Sequence, residues 1–291
     1  MINFSCNGCG ACCYGGISLT PEEFFFKHYD DFAVNLSLSA YDIRNLVSPE
    51  FPDRSYKKQK KYLSDNFFVS IKTKSDRKVA VFLEFISVNP AIVPCRNLNE
   101  FKQCSIYSRR PKVCSLYPYR IDTTPTELKH GLLMEKSRAI ETTGEIKACE
   151  GFKNTQEVIF TDKPTDPSVI PLLNERTMEL RRYKALIKQF IQYLMTNESI
   201  SQQIEKNSAF NTPNGGRITL SLVDLAKFYI SKDGYLTYNM ERLLIANSKM
   251  LKREAVRINE IGDDRLSKYA ESLMTDHVVH ETLLELNNTA P

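Results

Sequence analysis

Four cysteines fall within eight residues, Cys6, Cys9, Cys12 and Cys13, in the pattern C-x2-C-x2-C-C. A C-x2-C step lets one tight turn aim two thiolates at one metal. Gly10, directly after Cys9, permits the backbone conformation that closes such a turn. Backbone N–H groups in a turn of this kind point at the sulfurs and stabilise their charge. Cys12 and Cys13 are adjacent, so their side chains diverge. One faces the primary site; the other faces a second metal, a second cluster or the core. Cys95, Cys104 and Cys114 follow singly, and Cys149 stands further on. All eight are candidate metal ligands.

The neighbours of the later cysteines are informative. Pro111 and Pro118 bracket Cys114 and stiffen its segment. Arg109 and Arg110 stand between Cys104 and Cys114, where a guanidinium offsets the charge of a thiolate-rich site or binds an anionic cosubstrate beside it. The plain alternative is two solvated arginines. Other uses of cysteine fit less well. Disulfides belong to oxidising compartments, and no basic stretch followed by an apolar one marks a secretory signal; the expected location is the cytoplasm. Buried thiols acting as small hydrophobes do not cluster in this way. A redox dithiol at Cys6 and Cys9 usually opens a helix after a strand. Both zinc and iron–sulfur clusters accept four thiolates. The absence of a second C-x2-C pair after Cys13 favours a 4Fe–4S cluster over zinc, and zinc remains the alternative.

These elements resemble a known family. F-x-C-x2-C-G-x-C-C-x-G-G runs from Phe4 to Gly16, and I-x-L-T-x-E-E from Ile17 to Glu23. P-C follows at Pro94 and Cys95, C-S-I-Y at Cys104 to Tyr107, R-P-x-x-C-x-x-Y-P at Arg110 to Pro118, and C-E-G-F from Cys149 to Phe152. Together they look like the CxxCxxCC, or YkgJ-type, cysteine-cluster family, whose description is zinc or iron chelation. The resemblance covers roughly residues 1–155 and implies a metal site built from the eight cysteines. More distantly the chain resembles the flagellin lysine methylases, which implies a cluster-dependent protein-lysine methyltransferase using S-adenosylmethionine. Their looser cysteine spacing and greater length, and the absence of a counterpart to the C-terminal half, keep this an alternative. A zinc-stabilised interaction module without catalysis is the other.

Small elements must position these residues. Thr20-Pro21-Glu22-Glu23 reads as a helix start, with Thr20 as N-cap and Glu23 closing a capping box, and the helix running through Tyr29. A second short helix is expected near Ser39–Leu46. Asn66–Lys72 and Lys78–Val88 read as a hairpin that delivers the chain to Cys95. Leu132–Ile140 is expected to be helical. Thr161–Pro171, with Pro164 and Pro167 between, reads as a linker. Beyond it Leu180, Tyr183, Ile187, Phe190, Ile191 and Leu194 repeat at helical spacing, and further helices are expected over Ser221–Ser231, Asn239–Ile261 and Asp264–Leu286. The fold class is therefore α+β: a small cysteine-rich metal-binding domain at 1–160 with a β-hairpin and short helices, then an α-helical C-terminal bundle at 172–291.

The helical half is expected to bind a protein or small-molecule partner. Among 291 residues the net charge is +4, and Lys57, Lys58, Lys60 and Lys61 form the only dense basic run, which gives no nucleic-acid signal. No stretch has the apolar length of a membrane span. His277 and His280 share a face of the last helix and read as core histidines. His28 and His130 lie near the cysteine segments, with His28 the better candidate for a group supporting a ligand. No Ser/His/Asp or Cys/His catalytic set stands out.

Overall fold

The computed structural model describes residues 2–3, 13–42, 64–117, 138–140, 146–148, 158–160, 166–209 and 217–289. Its strands are β1 (Ile2–Asn3), β2 (Ser18–Leu19), β3 (Val34–Asp42), β4 (Val69–Lys72), β5 (Lys78–Ser87), β6 (Arg138–Ile140), β7 (Ile146–Ala148), β8 (Val158–Phe160) and β9 (Arg217–Leu220). Its α-helices are α1 (Lys112–Leu116), α2 (Val169–Leu194), α3 (Glu198–Ala209), α4 (Leu222–Asp233), α5 (Tyr238–Asn259) and α6 (Asp264–Thr289). The class is α+β.

β5 is the spine of a five-stranded antiparallel sheet. On one side it pairs along its length with β3, from Val34 opposite Ser87 to Asp42 opposite Val79. On the other side β2 pairs with one end, Leu19 opposite Phe85, and β4 with the other, Ile71 opposite Val79. β9 pairs with the outer edge of β3, Leu36 opposite Leu220. The expected hairpin is thus present, although Ser64–Asn66 is a helical turn and the strand begins at Val69. In β5, Val79, Val81, Leu83 and Phe85 are buried while Phe82, Glu84 and Ile86 are partly exposed, so one face is wetter, as the alternation in the sequence implies.

Three expectations are corrected. Ser39–Asp42 is strand, not helix: Val34, Leu36, Leu38 and Ala40 alternate with Asn35, Ser37 and Ser39 at period two, and all seven residues are buried because packing covers both faces. Arg138–Ile140 is strand β6, paired with β7, and residues 132–137 lie outside the description. Pro171 does not belong to a linker but to the first turn of α2, where a missing N–H costs nothing. Asn211-Thr212-Pro213-Asn214-Gly215-Gly216, whose composition reads as a loop, lies outside the described residues. The helices beyond it follow the expected ranges. α4 carries a complete capping box between Ser221 and Asp224, and α5 packs antiparallel on α6.

One buried cluster joins the sheet (Leu36, Leu38, Val81, Phe85) to α2, α3, α4 and α5 (Phe190, Ile204, Leu225, Leu244). A second joins Val88 and Val93, on the approach to Cys95, to Leu251, Ile258 and Leu273 of the α5–α6 pair. The sheet and the core therefore draw on both stretches of sequence, before 160 and after 172. Among the described residues no helix is long and apolar enough to cross a membrane.

Candidate metal centre

The Gly15-Gly16 step carries the chain from the cysteine octet into β2. Gly15 has φ +80°, a conformation that side chains disfavour. A Cβ on Gly16 would stand 2.5 Å from the carbonyl oxygen of Ser87. This close approach lets Ile17 N–H reach Ser87 Oγ at 2.9 Å and Ile17 carbonyl accept from Ser87 N–H at 3.0 Å. The last cysteine of the octet is thereby laid beside the second group. Cys95 N–H donates to the Cys13 carbonyl at 2.6 Å, and Tyr14 forms an antiparallel bridge with Pro94. Asn89 holds the same place from behind, its Nδ2 donating to the carbonyls of Val93 (2.6 Å) and Gly15 (3.3 Å). Arg257 of α5 completes the frame, donating to Asn89 Oδ1 at 3.0 Å and to the Pro94 carbonyl at 3.1 Å.

Cys95 and Cys104 close the base of a short hairpin loop. Leu98 bridges Cys104, Asn99 N–H reaches the Gln103 carbonyl at 2.9 Å, and Lys102 turns the tip with φ +59°. Burial is the largest influence on the Cys95 thiol and pushes its pKa up, and the nearby Cys104 adds to this. Against it, the backbone N–H of Asn97 hydrogen-bonds the Cys95 sulfur and Arg257 attracts a thiolate. An N–H aimed at a cysteine sulfur from two residues on is the arrangement that stabilises metal-bound thiolates.

Cys114 rides on α1, and a buried charge network holds that helix. Glu23 closes the expected capping box on Thr20, with Thr20 N–H to Glu23 Oε2 at 2.9 Å and Glu23 N–H to Thr20 Oγ1 at 3.1 Å. The turn it opens continues as a π-helical segment over Glu23–Lys27. The other oxygen of Glu23 does something the sequence alone did not reveal. It accepts the backbone N–H of Lys112 at 2.6 Å and so caps the start of α1 from 89 residues away. Lys112 Nζ then pairs with Glu179 Oε1 of α2 at 2.7 Å, and Thr20 Oγ1 donates to Glu179 Oε2 at 2.8 Å. Beneath them lies Arg176 of α2, 1% exposed, with Nη2 donating to Ser18 Oγ at 3.3 Å and Nη1 at 3.6 Å from Glu23 Oε2. The elements I-x-L-T-x-E-E and R-P-x-x-C thus meet in one place.

Each later described cysteine has an arginine in electrostatic reach: Arg257 for Cys95, Arg109 for Cys104 and Arg176 for Cys114. Arg109 is itself held by Asp31, with Nη2 donating to Oδ1 at 2.7 Å and Nη1 to Oδ2. His28 Nδ1 lies 2.9 Å from the same carboxylate. Burial alone would raise the pKa of Asp31, but His28 and Arg109 together hold it at about 2. Arg110 stacks over the Tyr107 ring at 4.2 Å and donates from Nε to Ser115 Oγ at 3.2 Å. His277 and His280 are hydrogen-bonded within the helical pair, to Ser248 and to Asn247 respectively.

Cys13, Cys95, Cys104 and Cys114 form no disulfide. Cys6, Cys9, Cys12, Cys149 and His130 lie outside the described residues, and among those described no three metal-binding side chains converge on one point. The chemistry present nonetheless fits a thiolate-bound metal. An N–H already meets the Cys95 sulfur, cations attend three of the thiols, and Arg176 keeps Nε and Nη1 buried without a hydrogen-bond acceptor.

Residues 5–137 match the model of the CxxCxxCC family, described as a "putative zinc- or iron-chelating domain". The resemblance seen in the cysteine pattern holds over that span, and it supports metal binding by this part of the chain. No curated protein and no solved structure matches the chain.

Proposed function

We propose that this protein holds a 4Fe–4S cluster on its clustered cysteines, and that the cluster supports redox or cluster-dependent chemistry. The observation that carries the reading is the hydrogen bond from Cys95 N–H to the Cys13 carbonyl. It lays Cys13, the last cysteine of the C-x2-C-x2-C-C octet, against the Cys95–Cys104 loop, which supports a reading in which ligands far apart in sequence serve one region. Cys6, Cys9, Cys12, Cys13, Cys95, Cys104, Cys114 and Cys149 supply the candidate ligands. When bound, the cluster would supply one-electron chemistry or an open iron site. The protein's part is to order the thiolates and balance their charge with Arg109, Arg176 and Arg257. Arg109 and Arg110 would also meet an anionic cosubstrate, Arg109 from its pairing with Asp31 and Arg110 from its contacts with Tyr107 and Ser115.

The test is anaerobic purification followed by metal and acid-labile sulfide analysis with a visible spectrum. Iron with matching sulfide and a broad band near ~400 nm is the expected result. A colourless protein with stoichiometric zinc would replace the cluster with a structural zinc site and turn the function towards a protein-interaction module.

A further inference from the structure

Arg176 is a fully buried charged side chain beside the helix that carries Cys114, and its partners do not account for it. Only Nη2 makes a hydrogen bond, to Ser18 Oγ at 3.3 Å. The Glu23 carboxylate stands 3.6 Å from Nη1, close enough for ion pairing but too far for a hydrogen bond. Nε and Nη1 have no acceptor. Glu23 is not free to come closer, because its two oxygens already receive the N–H groups of Thr20 and Lys112. Glu179 is likewise engaged by Thr20 and Lys112. A guanidinium needs its donors met when water is excluded. Two donors left over, on a side chain fixed by helix α2, point to an acceptor that the protein alone does not supply.

Glu84 of β5 also lies in electrostatic reach of the guanidinium but makes neither a hydrogen bond nor an ion pair with it, and the other fitting chemistry in reach is sulfur. Lys112 is held by both Glu23 and Glu179, and Cys114 follows two residues later on the same short helix. Its sulfur lies in electrostatic reach of the guanidinium. Metal-bound thiolates and cluster sulfides accept N–H hydrogen bonds, which neutralise part of their charge and set their potential.

We propose that Arg176 belongs to the metal centre, its Nε–H and Nη1–H donating to the sulfur of metal-bound Cys114 or to a sulfide beside it. This rests on the reading of the cysteines as metal ligands and adds to it a residue 39 positions beyond the matched family region. The salt-bridge network of Thr20, Glu23, Lys112 and Glu179 is then the frame that keeps α1 and the guanidinium in register.

The probe is 113Cd2+, loaded anaerobically into the full-length chain in place of its native metal. In the wild type the Arg176 Nε proton is expected downfield of the ordinary guanidinium position and coupled to cadmium. An Nε proton at the ordinary position with no coupling overturns the inference. Arg176→Lys keeps the positive charge facing Glu23 but loses the forked donors. It should retain the near-ultraviolet thiolate–cadmium absorption while surrendering cadmium to a chelator at least tenfold faster; an unchanged rate overturns the inference and leaves the metal site standing. If the wild type shows no thiolate–cadmium absorption, the metal reading itself falls, and the inference with it. The wild-type resonance decides the matter should the variant fail to fold.

Discussion

Glu23 shows how much one side chain does at the centre of this molecule. It is 1% exposed and joins the segment after the octet to the helix that carries Cys114. Ion pairs of this kind are weak evidence of net stability, since desolvating the charges offsets their attraction. Removing one partner is different, because the other charges stay buried. Glu23→Ala strips an acceptor from two backbone N–H groups and takes from the buried Arg176 the carboxylate it is paired with, while Lys112 keeps Glu179 and Glu175. The expected loss is about 3–5 kcal/mol in urea unfolding. Glu23→Gln, which keeps an acceptor for one N–H, should lose less. If the alanine variant unfolds at the wild-type midpoint, the network does not hold α1. The capping half of this role was legible in T-x-x-E, since the box is local. The half that caps α1 was not, because nothing in a linear pattern says that a carboxylate will meet an N–H 89 residues later. Arg176 was hidden for a related reason. It sits on a helix whose apolar repeat explains the neighbouring residues, and its charge marks it as solvated until burial is seen.

Among the elements, the long helices and the hairpin were readable because each carries its own period: 3.6 in α2, α5 and α6, two in β5. β9 was missed, since four residues give too short a run, and its burial pattern becomes meaningful only when β3 is beside it. β3 was not read as a strand over Val34–Leu38, and its end was misread as helix, where Ser39, Ala40 and Tyr41 have no strong local preference and pairing with β5 decides. What joins the helical pair to the sheet is also an element-scale device. Asn247 of α5 takes the place of a neighbouring strand at the start of β3. Its Oδ1 accepts from Val34 N–H at 2.7 Å and its Nδ2 donates to the Val34 carbonyl at 3.0 Å. Asn247→Leu has similar bulk but leaves both backbone groups buried and unpaired. The expected cost is about 2–6 kcal/mol, from about 1–3 kcal/mol for each of the two unsatisfied groups. A thermal melt equal to wild type would show that water or a shift of α5 meets Val34 instead. The same amide nitrogen lies 3.2 Å from His280 Nε2, while His280 Nδ1 lies 2.7 Å from the Asp276 carbonyl oxygen. With Nδ1 protonated and Nε2 accepting, the imidazole is neutral, and burial holds its pKa below the ordinary 6.5. The folded state therefore disfavours the proton that the unfolded chain accepts. His280's contribution is complete above pH 6.5 and is lost as pH falls below it towards the folded value. Asp224 and Asp276 beside it are pushed the other way by burial, above their ordinary 3.8, and act at lower pH. Melting temperature measured from pH 7.5 to 5.5 should fall in the wild type, and the fall should flatten in His280→Gln. Equal slopes would assign the effect to other groups, metal release among them.

Across the whole molecule, the described part of the cysteine region and the helices that follow it share both buried clusters. The family match stops at residue 137, yet the described elements before that point do not close on themselves. β3 is covered on its outer edge by β9, and the apolar faces of β3 and β5 pack on Phe190, Ile204, Leu225 and Leu244. The approach to Cys95 is braced by Arg257 and by the apolar side chains of α5 and α6, and α1 leans on α2 through Lys112 and Glu179. Metal binding alone can organise a small domain, contributing on the order of 10 kcal/mol. Here, however, a fragment of residues 1–160 would expose Val34, Leu36 and Leu38, each 0% accessible in the intact chain, and would turn β3 into an open edge. Such an edge invites pairing with other chains. The expected behaviour of the fragment, even when loaded with metal, is a broad, non-cooperative melt with collapsed amide dispersion and a tendency to aggregate. The full chain should melt in one transition that shifts upward on metal loading. A metal-loaded fragment with a sharp melt and a well-dispersed amide spectrum would mean that the thiolate centre organises the sheet without its helical cover. The contacts from α2, α5 and β9 would then serve to position the site rather than to fold it.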